Sequence, residues 1–149
     1  MKSILLFLIF ISILLVQEFA FSQECKKCDT NALLELSKNL DSLKYEYVLN
    51  FVCTFDSSCQ NNVEFSEWSN RLLFKLVEKD IDLLNEALHR MGYQYVILIA
   101  NELENPVVEI DPIKIYEIIR KSNGPKDMIF LEKKAIIKAA EKQGIKIKE

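Results

Sequence analysis

Tyr93-Gln-Tyr-Val-Ile-Leu-Ile-Ala-Asn-Glu-Leu-Glu104 decides the fold class of this chain. Its first eight residues carry the β-branched and aromatic side chains of a strand. Yet Val96, Ile99, Ala100 and Leu103 share one face at helical spacing, and Ala100 to Glu104 continues as helix-permissive sequence. A lone strand needs partners, and the only candidates are short segments near 107–111 and 145–148. The stretch is therefore predicted to be a helix and the protein all-α. The alternative is an α+β fold with a small sheet formed by 93–100, 107–111 and 145–148.

The flanking sequence favours helices on both sides. Downstream, Asn105-Pro106 ends the segment, and Asp111-Pro112 is a cap followed by proline at the first helical position, starting a helix that runs to Ser122. Asn123-Gly124-Pro125 stops it, and a last helix runs from Lys126 to Gln143, closed by Gly144. Upstream, Ile81, Leu84, Leu88 and Met91 mark a helix capped by Asp80 and closed by Gly92, preceded by one from Val63–Glu67 to Lys79 that buries Trp68, Leu72, Leu73, Leu76 and Val77. Asp29 or Thr30 caps the first helix, which carries the stripe Leu33, Leu36, Leu40, Leu43, Tyr47 and Phe51. Five to six helices follow, arranged as a bundle or a short α-solenoid-like stack.

The extreme N-terminus stands apart. Lys2 precedes an apolar run from Ile4 to Val16 broken only by Ser12, and Ala20-Phe21-Ser22 offers small residues at the cleavage positions. This is the pattern of a signal peptide, 1–22, cut after Ser22 to leave a single helical domain over 23–149; Gln17-Glu18 interrupts the run well short of a stable membrane span. A periplasmic or secreted location follows, and no Asn-X-Ser/Thr acceptor occurs in the chain.

Export makes two disulfides the expectation for Cys25, Cys28, Cys53 and Cys59, with three connectivities open. A straight helix from Asp29 to Phe51 would hold Cys28 and Cys53 about 35 Å apart and permit only the local bridges 25–28 and 53–59. A turn at Lys38–Ser42 would instead permit nested bridges, 28–53 and 25–59. The apolar stripe continues through that turn and favours the straight helix. A third role for Cys25-Lys26-Lys27-Cys28 is thiol–disulfide chemistry, since two cations between the sulfurs favour the thiolate, although no strand precedes the pair as in thiol oxidoreductases.

Candidate chemistry is sparse. His89 is the only histidine, near the end of its helix, and a structural or solvated role is expected for it. Carboxylate pairs such as Glu64 with Glu67 are ordinary on an acidic helical surface. No cofactor or metal is expected, and export leaves little reason for a nucleic-acid partner. Charge is more telling: residues 23–111 carry 16 Asp or Glu against 8 Lys or Arg, whereas 112–149 carry 10 Lys or Arg against 5 acids. Lys134, Lys138 and Lys142 form a basic ridge, diluted by Glu132 and Glu141. The acidic part suggests a non-enzymatic interaction, inhibitor or immunity-type module that docks an exported basic protein, with Trp68, Glu86, Glu102, Glu104 and Glu109 as candidate surface. The alternative is a carrier of a small apolar ligand built around Phe51, Phe55, Phe65, Trp68, Phe74, Tyr93 and Tyr95.

Overall fold

A computed structural model describes residues 25–148; the signal-peptide assignment lies outside them. Every element among these residues is helical, and no strand forms. The order is α1 (Thr30–Lys38), α2 (Tyr45–Cys53), a 3-10 turn (Ser57–Asn61), α3 (Val63–Met91), α4 (Tyr93–Glu104), α5 (Pro112–Lys121) and α6 (Lys126–Lys142). The deciding stretch is α4, and Val96, Ile99 and Leu103 are its buried residues. The α+β alternative is therefore excluded for 93–100 and the other two segments: 107–111 is a loop, and 145–148 is the irregular tail after α6. Side-chain burial on one helical face outweighs the local strand preference of Tyr93 to Ile99.

Capping residues set the boundaries. The Asp29 carboxylate accepts from Asn31 N at 3.1 Å, and Asp111 accepts from Ile113 N and Lys114 N at 3.0 Å each. Inside α3, Asp80 leaves helical geometry (φ −160°, ψ 82°) and its Oδ1 accepts from Leu83 N at 3.0 Å, so the long helix bends where the cap was expected. Gly92 alone separates α3 from α4, at φ 93° and ψ 172°, a region nearly closed to any residue with a Cβ.

The straight first helix is not adopted. Asn39 closes α1, with Nδ2 donating to Glu35 O at 2.8 Å, and Ser42 N donates to Asn39 O at 3.0 Å, so the chain reverses before α2. Short polar side chains bonding their own backbone compete here with helix propagation. Leu40 and Leu43 still pack against the core from the turn, which is why the apolar stripe ran through it unbroken. The reversal brings α2 back beside the N-terminus, and the disulfides are Cys25–Cys53 and Cys28–Cys59. Neither the local pairing nor the nested one occurs. Cys28 takes a left-handed conformation (φ 54°), and its N donates to Thr54 O at 2.9 Å, laying residues 25–28 alongside the end of α2. Two such bridges belong to a protein that folds in an oxidising, extracellular-type environment.

One continuous core runs from Leu33 and Leu36 through Phe51, Leu73, Leu76, Leu84, Leu88 and Ile99 to Ile119 and Ile136. Within it α3 is central, packed against α1, α2, α4 and α5, while α4 and α5 both pack against α6. Helices α4 and α6 run parallel: Tyr93 and Val96 border one groove with Met128, and Glu104 meets Lys138 and Lys142 at the far end.

Candidate functional site

The basic end folds onto the acidic part. Lys114 pairs with Glu78 at 3.1 Å, while Lys138 and Lys142 reach Glu104 at 2.8 and 3.4 Å. Those bonds hold the Glu104 carboxyl below the ordinary range, the Lys138 hydrogen bond contributing most. The charge asymmetry of the sequence is thus partly cancelled within the molecule. Two of the three lysines of the predicted ridge are consumed, and Glu132, expected on that ridge, is fully buried instead with neither carboxylate oxygen hydrogen-bonded. Burial pushes its carboxyl up to about 8.

The five surface candidates sit in different surroundings. Glu102 is half-buried, and its Oε2 accepts from Asn70 Nδ2 at 2.9 Å; burial raises its carboxyl and that bond opposes the rise. The same Nδ2 contacts Glu102 O and Asn105 O, at 3.0 and 3.3 Å, while Asn70 Oδ1 accepts from Val107 N at 3.0 Å. Glu102 is therefore tied to a buried clamp that closes α4. Glu109 is exposed on the loop after it, and Trp68 is half-buried against the core. Glu86 lies near the other end of α4, roughly 15 Å from Glu104 by helical rise.

Around Glu86 a corner forms that the sequence did not single out. Asp82, Asn85, Glu86 and His89 occupy one face of α3 at i, i+3, i+4 and i+7, and with Asn123, Gly124 and Pro125 of the α5–α6 turn they line a cleft of about 380 Å³. That polar spacing was the available signal. Asp82 fastens the turn: its two oxygens accept from Asn123 N and Nδ2, both at 2.7 Å. Asn85 is only 1% exposed. Its Nδ2 donates to Ser122 Oγ at 3.2 Å and Asn123 O at 3.3 Å, whereas its Oδ1 receives no hydrogen bond. At Gly124 a Cβ would stand 3.1 Å from Asn85 Nδ2 and 3.2 Å from Met128 Cε, so glycine permits this close approach. Glu86 is exposed and makes no ion pair within 4.0 Å among the described residues, and Asp127 lies close by in the adjoining groove.

Other predicted sites are placed differently. Cys25 and Cys28 bond to Cys53 and Cys59 and not to each other, so their sulfurs act as staples between the N-terminal segment and the α2–3-10 region. Lys26 pairs with Asp29 at 3.1 Å, and Lys27 with Asp56. Phe51, Phe55, Phe65 and Phe74, named for an apolar cavity, are buried in the core, while Tyr93 is exposed. Among the described residues no group of three or more His, Cys, Asp or Glu is arranged to hold a metal ion, and no helix is long and apolar enough to cross a membrane. Compared with known protein families, curated proteins and solved structures, the chain matches none.

Proposed function

We propose that this chain is an exported, disulfide-stapled helical module that binds a basic partner protein, an inhibitor or immunity-type role being one instance. The observation that carries it is the corner at Asp82, Glu86 and Asp127, whose carboxylates form no ion pair with a lysine or arginine among the described residues, Arg90 one turn from Glu86 included. Surface charge of this kind speeds association with a basic partner and suppresses acidic ones. Export fits both the disulfides and the N-terminal pattern of residues 1–22, with cleavage after Ser22 and a periplasmic or secreted destination.

The test is capture from the exported fraction by immobilised wild-type protein and by the Glu86→Lys variant. A protein retained by the wild type at low salt, released at high salt and lost with E86K supports the proposal. Retention indifferent to both salt and E86K overturns it.

A further inference from the structure

We infer that the outer face of α6, with the adjoining edge of α5, rests on a bilayer containing anionic phospholipid, Phe130 inserting among the headgroups. This face is opposite in charge to the acidic corner and needs no partner protein there.

Helix α6 runs without interruption from Lys126 to Lys142. At roughly 100° per residue, Lys126, Phe130, Lys133, Lys134 and Ile137 fall within about 60° of one line. The opposite side carries the buried Met128, Glu132, Ala135 and Ala139, which turns the first set outward. Phe130 is 62% exposed. A single exposed ring is ordinary on a protein surface, but this one does not stand alone. Lys133 Nζ lies 5.3 Å above the Tyr116 ring, which brings that flank of α6 against α5, and Ile113, one turn before Tyr116, is 53% exposed. On the other flank the exposed Tyr93 of α4 borders a groove with Asp127 and Met128.

The charge of this face survives folding. Lys126, Lys133 and Lys134 form no ion pair among the described residues, whereas Lys138 and Lys142 are matched by Glu104. Of the acids in the same stretch, Glu132 is buried, Glu117 is held by Arg120 and Lys121, and Asp127 and Glu141 stand toward the two ends of the helix. The middle of the face is therefore an apolar ring among free lysines, and the basic ridge of the sequence is shifted from Lys138 and Lys142 toward Phe130.

Charge complementarity selects an anionic occupant, and the apolar centre selects one with hydrocarbon beneath its charges. A bilayer supplies both and moulds itself to a convex helix, whereas an acidic protein would need a groove fitted to Phe130. Lysine stems lie along the apolar surface while their ammonium groups reach phosphates, so α6 lies in the headgroup plane.

The experiment is flotation of the protein, purified as its host exports it, with two kinds of vesicle. One is phosphatidylcholine alone and the other contains about one third phosphatidylglycerol, each at about 50 mM and about 500 mM salt. The wild type should float with the anionic vesicles at the lower salt only. Phe130→Ser and Lys134→Glu should each weaken that association about fivefold or more. Both side chains are exposed, so the variants keep the fold, which circular dichroism verifies. Val63→Ser, at an exposed apolar residue of α3, should change nothing. The inference is overturned by no flotation, by flotation that F130S and K134E leave unaltered, or by an equal loss with V63S. An acidic protein of the exported fraction retained through Phe130 while vesicles fail to bind would assign the face to a protein and overturn it too. E86K should float at least as well as the wild type while losing the capture described above, so either reading can fail without the other.

Discussion

Replacing Glu132 by glutamine should make the protein more resistant to mild alkali. Glu132 is fully buried in α6, neither oxygen has a partner, and burial pushes its carboxyl up to about 8 from an ordinary value near 4.5. The folded value lies above the unfolded one, so as pH rises the unfolded chain releases this proton first. Stability associated with the group is therefore complete below about pH 4.5 and drains away through the window up to about 8. Each pH unit in that window removes about 1.4 kcal/mol, and the loss at pH 7 is about 3 kcal/mol. Glutamine preserves the shape and cannot ionise. Its own buried amide carries a cost, but a pH-independent one, which cancels from the slope. Urea denaturation of wild type and Glu132→Gln at roughly pH 5, 6, 7 and 8 reads the difference directly. The stability of E132Q relative to wild type should climb by about 1.4 kcal/mol per unit. Curves that stay parallel across this range would refute a buried, unpartnered carboxyl at this position.

Three further outcomes follow from particular contacts. Gly92→Ala places a Cβ on a backbone at φ 93° and ψ 172° and should cost about 1–3 kcal/mol in thermal or urea unfolding, although the site itself is spacious. Asn70→Ala removes the clamp on Glu102, Asn105 and Val107; we expect a loss of about 1–3 kcal/mol and faster amide hydrogen exchange at Val107. Peptide mapping without reduction should recover 25–53 and 28–59 linked fragments. Replacing Cys28 and Cys59 together by serine should then lower stability by roughly 3–4 kcal/mol, given the 31-residue separation they close.

Much of the architecture was legible in local signals. Asp80, Asp111-Pro112 and Gly92 marked boundaries that the folded chain respects, because caps and glycine act within a turn of their own position. The α1–α2 reversal was not, since Leu40 and Leu43 face the core from a turn as well as they would from a helix. With that reversal hidden, the pairing of the cysteines was hidden too: connectivity depends on which ends meet in space. The candidate surface fared less evenly. Glu86 lies in an open cleft, whereas Glu102 and Glu104 were drawn into bonds with Asn70, Lys138 and Lys142 over more than 30 residues of sequence. Residue charge can be counted along a chain; cancellation appears only once distant segments are packed. The polar face Asp82, Asn85, Glu86 and His89 was visible as a spacing, but its closure by Asn123 and Gly124 required the fold.

The acidic corner is the centre of this account, and capture of an exported partner by wild type and E86K, side by side at about 50 mM and about 500 mM salt, tests it most directly. We predict a partner bound by the wild type at the lower salt only, and by E86K at neither. A partner held equally by both proteins at both salt concentrations would contradict it.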